Sequence, residues 1–451
     1  MSKKLKLAEY ISIASMLFGL FFGAGNLIFP AYMGQMAGRN MWWAVAGFLI
    51  TGVGMPVLSV AALGISRCNG LAELSRRVGD KYGLMFTCLL YLTIGPFFAI
   101  PRLSSTSYAV GLEPILKEKS GFVAMALFAA VFFAVSLWFA LRPSNILTWV
   151  GKILTPLFLV FLGVMVAASV LNPIAAASEI EPQGAYVNSA LSTGFLEGYN
   201  TMDVLAGLAF GIVVVTVIRG LGVTEPKDIA ASTVKAGVFS GIIMAVIYVA
   251  ITLMGAQTRG IYPVGANGGE TLIMIANHYF GKIGSLILAA TVMLACLKTS
   301  VGLLTSCGET FVKLFPNKLK YNTWVMLFTL LSFLIATLGL NAIIAYSLPV
   351  LMFLYPLAIS LVILALFGRF FENDKGVYAW TTGFVLAAAL FDLIKALPQG
   401  AKSFLHAEPV IAFAEKFLPW FHLGLGWIVP ALVGFAVGLV LYFARKKKVS
   451  A

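Results

Sequence analysis

Apolar residues run along this chain in blocks of roughly twenty, the length that crosses a bilayer core about 30 Å thick as a helix. The blocks recur from end to end, separated by short polar connections. The pattern predicts about twelve transmembrane helices, over 8–34, 41–65, 83–110, 121–140, 147–172, 193–218, 232–256, 282–312, 321–340, 342–368, 376–397 and 421–444. The expected fold class is therefore an all-α polytopic membrane protein, with one transmembrane domain over 1–451. The stretch 257–281 is too polar and glycine-rich to span. It reads as an external loop with a short helix at 269–279, either a lid or a passive surface loop.

Composition agrees with the pattern. The 451 residues are 60% hydrophobic and 11% charged, against about 45–50% and about 25% in a soluble domain. No soluble domain of useful size remains. The net charge of +13 argues little for nucleic acid, because Lys and Arg fall in alternate connections, as the positive-inside rule predicts. Arg67, Arg76, Arg77, Lys81, Lys318, Lys320 and the basic tail at 445–448 mark the cytoplasmic side, so both termini are expected there, in a bacterial cytoplasmic membrane. The basic N-terminus lacks a small-residue cleavage site after its apolar run and reads as a retained first helix. Cys68, Cys88, Cys296 and Cys307 lie in or beside apolar runs without close pairing, which indicates neither a disulfide framework nor a CxxC site. The patterns GxxxxGK[ST], HExxH and GxSxG are absent, and His278, His406 and His422 are scattered near predicted helix ends. An ATP-driven pump or an enzyme is thereby disfavoured, and no obligate protein partner is evident.

The first apolar block contains FGAGNLIFP at 22–30, with two glycines, an asparagine and a proline where a helix should be most regular. GLFFG at 19–23 is echoed by GLAFG at 207–211, in the sixth span. If helices 1–5 (8–172) and 6–10 (193–368) are two copies of a five-helix unit, the second enters the membrane from the opposite side, and 376–444 supplies two additional helices. Interrupted helices at matching places in inverted repeats point to a transporter's binding site. Gly19, Gly23, Gly25, Gly207 and Gly211 would ease such breaks; freed amides could hold a carboxylate and freed carbonyls Na⁺. Small residues also serve close helix packing, but Asn26 and Pro30 favour the break in the first span.

Arg102, Asp203 and Lys298 are ionisable groups that no shift of boundaries moves to an interface, so each needs a partner or water. Arg102 and Asp203 both fall in the outer halves of their spans and are candidates for a charge pair, as an outer gate or a fixed structural tie; Asp203 could alternatively carry a coupled proton. Phe22, Phe210, Phe97 and Phe98 could line a pocket for a branched aliphatic side chain, Phe210 most of all.

The strings FGAGNLIFP at 22–30, GPFFAIPR at 95–102, GYNTMDVLAGLAFGIVVV at 198–215 and ACLKTSVGL at 295–303 closely resemble the bacterial branched-chain amino acid:cation symporters, the BrnQ-like family. The resemblance implies Na⁺-coupled uptake of leucine, isoleucine and valine on a LeuT-like 5+5 inverted repeat with discontinuous helices 1 and 6. It also implies a site. The GxGN core matches Gly23, Ala24, Gly25 and Asn26, the floor for the substrate carboxylate, with Gly207, Phe210 and Gly211 opposite. Na⁺ would take the carbonyls of Gly19, Phe22 and Cys296 with the hydroxyls of Thr299 and Ser300. At about 100° per residue, Cys296, Thr299 and Ser300 share a helix face and Lys298 points away from it. The arginine that precedes Phe-Pro in LeuT-like proteins is absent from 27–30, which leaves the external gate unassigned. Proton-coupled symport is the alternative within this class, and a channel or an amino-acid sensor lies outside it.

Overall fold

The structure, a computed structural model, describes residues 5–68, 70–116, 121–142 and 155–449. The basic start of the chain and the beginning of the 147–172 span lie outside the described residues. Among those described the chain is helical, without strands. Among the described residues, nine helices are long and apolar enough to cross a membrane, and three shorter apolar helices, Leu7–Phe21, Leu159–Leu171 and Tyr321–Ala336, fall in predicted spans.

The first predicted span is two helices, α1 (Leu7–Phe21) and α2 (Gly25–Ala37). The second is α3 (Met41–Leu49) and α4 (Met55–Ser66), joined by a π-turn at Ile50–Gly54. In the third, α5 (Asp80–Leu92) is followed by a kink at Gly95 and Pro96 and then by α6 (Ala99–Gly111). Next come α7 (Phe122–Ala140) and α8 (Thr155–Leu171). The sixth span is again interrupted: α9 (Tyr186–Glu197), a 3₁₀ turn at Gly198–Thr201, and α10 (Asp203–Gly220). Then follow α11 (Pro226–Thr258), α12 (Gly268–Leu314), α13 (Tyr321–Ala336), α14 (Leu340–Phe367), α15 (Lys375–Ala396), α16 (Glu408–Phe417) and α17 (Ile428–Val449).

The short helix expected at 269–279 is the first part of α12, which bends at Gly281 (φ 56) before descending. Asn267 caps it, accepting from the amides of Gly269 (2.9 Å) and Glu270 (3.2 Å). The preceding loop is pinned to α2, where Gln35 Oε1 accepts from the Gly265 amide and the Thr271 hydroxyl, both at 3.0 Å.

Helix crossings depend on small residues, as they must where lipid gives no hydrophobic drive for helices to associate. At the α2–α11 crossing a Cβ on Gly34 would lie 2.0 Å from the Thr252 carbonyl, and one on Gly255 would lie 2.1 Å from that of Ala31. The α3–α9 crossing repeats the arrangement: Gly47 faces the Leu191 carbonyl and Gly194 that of Ala44, each at 1.9 Å from the Cβ position. This corrects the expectation for Gly207 and Gly211. Both lie inside the continuous helix α10, and they press it onto α4, with Ser59 Oγ 1.9 Å and Leu63 Cδ1 2.6 Å from their Cβ positions. Their backbone groups are not freed; the break in the sixth span comes earlier, at 198–202. Gly194→Ala should lower the unfolding temperature of detergent-purified protein, at a cost of about 1–3 kcal/mol for overpacking. Gly383→Ala, with open space around its Cβ position, should leave it unchanged.

Candidate functional site

Helix α1 stops at Phe21 because Phe22 turns out of the helix (φ −75, ψ 101). Gly23 then gives its amide to the side chain of Asn26 (2.8 Å to Oδ1). In an unbroken helix that amide would serve the Gly19 carbonyl four residues back. Helix α2 restarts at Gly25 with no side-chain cap. Its first amides, at the positive end of the helix dipole, therefore face the break and are suited to an anion.

The second break is built differently. The Thr201 hydroxyl donates to the Gly198 carbonyl (2.9 Å) and accepts from the Asp203 amide (3.3 Å). Met202 between them takes the left-handed conformation (φ 62), uncommon for a residue other than glycine. Asp203 thus becomes the first residue of α10, and its carboxylate meets the first break. Asn26 Nδ2 donates to Asp203 Oδ2 at 2.7 Å and also to the Tyr248 hydroxyl. That hydroxyl in turn donates to Asp203 Oδ2 at 3.1 Å. Tyr248, on α11, is held by stacking on Phe22 (6.0 Å between centroids) and by the edge of Phe48 (5.0 Å).

Arg102 and Asp203 do not form the direct pair expected of them. The Arg102 guanidinium donates to the Asn200 carbonyl at 2.8 Å and lies over the Phe29 ring at 5.1 Å, while Asn26 and Tyr248 take the carboxylate. Both residues nevertheless line one buried cavity of 40 Å³, room for roughly three waters. Gly23, Ala24, Gly25, Asn26, Thr201, Phe210 and Thr299 also line it; Gly207 and Gly211 do not. Arg102 closes tightly on the break, since a Cβ on Gly25 would lie 2.9 Å from its Nη2.

Of the residues expected to hold a cation, Gly19 and Phe22 flank the same break and Thr299 reaches it. Thr299 reaches Gly23, whose Cβ position is 3.4 Å from Thr299 Cγ2, and its hydroxyl donates to the Ala295 carbonyl at 3.0 Å. Ser300 Oγ is buried with no hydrogen-bond partner among the described residues. Cys296 is buried on the same helix, and Gly19 has lost its usual amide donor. Lys298 is buried but does not line the cavity.

Tyr248 and the turn 198–202 escaped the sequence reading. A lone tyrosine in an apolar span gives no signal beyond packing. The polar run Asn200, Thr201, Asp203 inside a hydrophobic block was a usable signal, outweighed by the glycines that follow it.

Higher on α6, a crevice of 610 Å³ is lined by Ser105, Tyr108, Glu113, Asn267, Glu270 and Asn341, among others.

Two interrupted helices meeting at a buried polar cavity define a membrane transporter of LeuT-like fold. Two solved transporters share that fold. Mhp1, a nucleobase-cation-symport-1 family transporter determined with bromovinylhydantoin, superposes with a TM-score of 0.58 at 14% identity, covering 99% of this chain and 95% of its own. MhsT, determined with L-phenylalanine, gives 0.56 at 15%, covering 98% and 99%. Residues 6–445 match the family described as branched-chain amino acid transport protein. The branched-chain amino acid permease BrnQ of Lactobacillus delbrueckii subsp. lactis is 48% identical over 449 residues, 99% of this chain and 100% of the relative. The chain belongs to this family of branched-chain amino acid transport proteins.

Asn26→Ala should destabilise the fold by about 1–3 kcal/mol, because the Gly23 amide and the Asp203 carboxylate would lose buried partners. Thermal unfolding in detergent measures this, with Tyr248→Phe expected to cost less.

Proposed function

We propose that the chain imports branched-chain L-amino acids by symport with Na⁺, alternating access to the cavity between the two helix breaks. One observation carries the reading: a single buried cavity is lined by groups of both signs, Arg102 and Asp203, together with the start of α2. The uncapped start of α2 and the Arg102 guanidinium line it and are suited to a carboxylate. Asp203, whose present donors Asn26 and Tyr248 are neutral, lines it too and is suited to an ammonium. Phe210, Ala206 and Leu303 supply apolar walls, where burying a leucine side chain contributes about 1.5–3 kcal/mol. At 40 Å³ the cavity is closed down, so substrate admission requires the helices around it to part.

The residues present fit Na⁺. The Ser300 hydroxyl, buried with no partner among the described residues, the Thr299 hydroxyl and the carbonyls of Gly19, Phe22 and Cys296 would supply an all-oxygen donor set of the kind hard cations prefer. Each inward Na⁺ gains about 2.3 kcal/mol per 100 mV of membrane potential, which corresponds to roughly 50-fold accumulation at one-to-one coupling. Proton coupling is the second reading, carried by Asp203. Relatives described as branched-chain amino acid permeases support the substrate class. Clustering of Arg67, Arg77, Arg445 and Lys446 around Ser66 and residues 372–374 supports cytoplasmic termini in a bacterial cytoplasmic membrane.

Labelled leucine uptake into vesicles, with Na⁺ and pH gradients imposed separately, tests the reading. Saturable uptake driven by Na⁺ and competed by isoleucine and valine is expected; uptake driven by pH alone moves the assignment to protons, and unsaturable flux excludes symport. Ser300→Ala should raise the Na⁺ concentration required about tenfold, one lost hydrogen-bond-strength ligand being worth about 1.4 kcal/mol. Arg102→Gln should weaken leucine binding roughly 10- to 100-fold, while leaving weak competition by leucinol, which lacks the carboxylate, unchanged.

A further inference from the structure

At the basic end of the molecule α4 finishes at Ser66 beside the end of α14 at Phe367. Between them opens a cavity of 330 Å³, lined by Ile65, Ser66, Arg67, Ala365, Arg369 and Asn373. Neither the Arg67 nor the Arg369 side chain has a hydrogen-bond or ion-pair partner among the described residues. A third guanidinium forms part of the same joint. Arg77 donates to the Asn373 side-chain oxygen (2.6 Å), the Tyr378 hydroxyl (3.1 Å) and the Ser66 carbonyl (2.8 Å), all neutral acceptors. The carboxylates nearby are already engaged, Asp374 by Arg445 at 2.9 Å and Glu372 by Lys446 at 2.7 Å. Two guanidiniums therefore line the cavity and a third lies beside it, while Asp374 and Glu372 are paired elsewhere.

The backbone adds a second observation. Arg67 closes α4 in the left-handed conformation (φ 58), where glycine is the usual residue. Planar guanidiniums that lack carboxylates are suited to phosphate oxygens, which they bind in a two-pronged manner.

We propose that this cavity holds the phosphate of an anionic phospholipid. The phosphate would compensate Arg67 and Arg369 directly and Arg77 through space. Its acyl chains have a track: Phe367 and Phe370 flank Arg369 with rings 6.1 Å apart, Phe370 is 81% exposed, and Ile363 is exposed one turn up α14. A free phosphate would satisfy the arginines but leave that apolar track bare. Occupancy ties the end of α4 to the α14–α15 connection, the same joint that Arg77 spans.

Native mass spectrometry of the purified full chain, titrated with phosphatidylglycerol or phosphatidylcholine, tests this. Phosphatidylglycerol should bind in preference, and Arg67→Asn and Arg369→Gln, chosen because asparagine tolerates the left-handed conformation, should each weaken it about five-fold. The double substitution Lys318→Gln, Lys320→Gln removes twice the charge of either arginine variant outside the cavity lining and should leave binding unchanged. Equal loss in that control, or undiminished binding in the arginine variants, overturns the site. A parallel titration with inorganic phosphate, read by thermal shift, separates the sources: stabilisation at millimolar phosphate that matches the lipid's overturns the lipid assignment. Size-exclusion profiles identical to wild type establish that each variant is folded.

Discussion

A helix that ends in the middle of a membrane exposes amides and carbonyls where no water can satisfy them, at several kcal/mol for each group left unpaired. The side chain of Asn26 resolves that problem here. Its oxygen takes the stray Gly23 amide, and its nitrogen bridges to Asp203 on the second broken helix and to Tyr248 on α11. One residue thus closes the first break, ties it to the second and joins both to a third helix. It also leaves the Gly19 carbonyl without its helical donor, and that carbonyl borders the unpartnered Ser300 hydroxyl's helix. The polar gap thereby created is the feature that the cavity, the exposed amides of α2 and the placement of Arg102 all share.

Such a hub needs its helices held close, and the crossings supply this. The reciprocal glycine contacts of α2 with α11 and of α3 with α9 bring backbones together at distances no larger side chain permits. They set Tyr248 and Phe48 against the break. Gly207 and Gly211 do the same for α10 on α4, so that Asp203 at the start of α10 is presented at a fixed height. Packing and chemistry are in this sense one arrangement, with the small residues on helix faces and the polar ones at helix ends.

The span pattern, the broken first helix and the residues around its break were legible in the sequence, because Gly23, Gly25, Asn26 and Pro30 each act locally on backbone conformation. The second break was not placed correctly. It rests on Thr201 bonding on both sides and on Met202 in a left-handed conformation, a compensation that only tertiary packing reveals. The GLAFG echo was misleading for a related reason: glycine in a membrane helix permits a break and a close crossing alike, and only the neighbour at α4 distinguishes them. Arg102 and Asp203 were found as buried charges, yet their partners were not, since Asn200 lies 98 residues from Arg102, and Asn26 and Tyr248 lie 177 and 45 residues from Asp203. Sequence proximity carries no information about such a network.

The central claim is that Asn26 and Asp203 act as one unit in forming the amino-acid site. A double-mutant cycle on leucine affinity, with Asn26→Ala, Asp203→Ala and the double variant measured by equilibrium binding to purified protein, addresses it directly. Residues in one hydrogen-bond network show coupling of about 0.5–3 kcal/mol, so the double variant should bind leucine measurably better than the sum of the single losses implies. Strictly additive losses, or single variants that bind leucine as wild type does, would contradict the account.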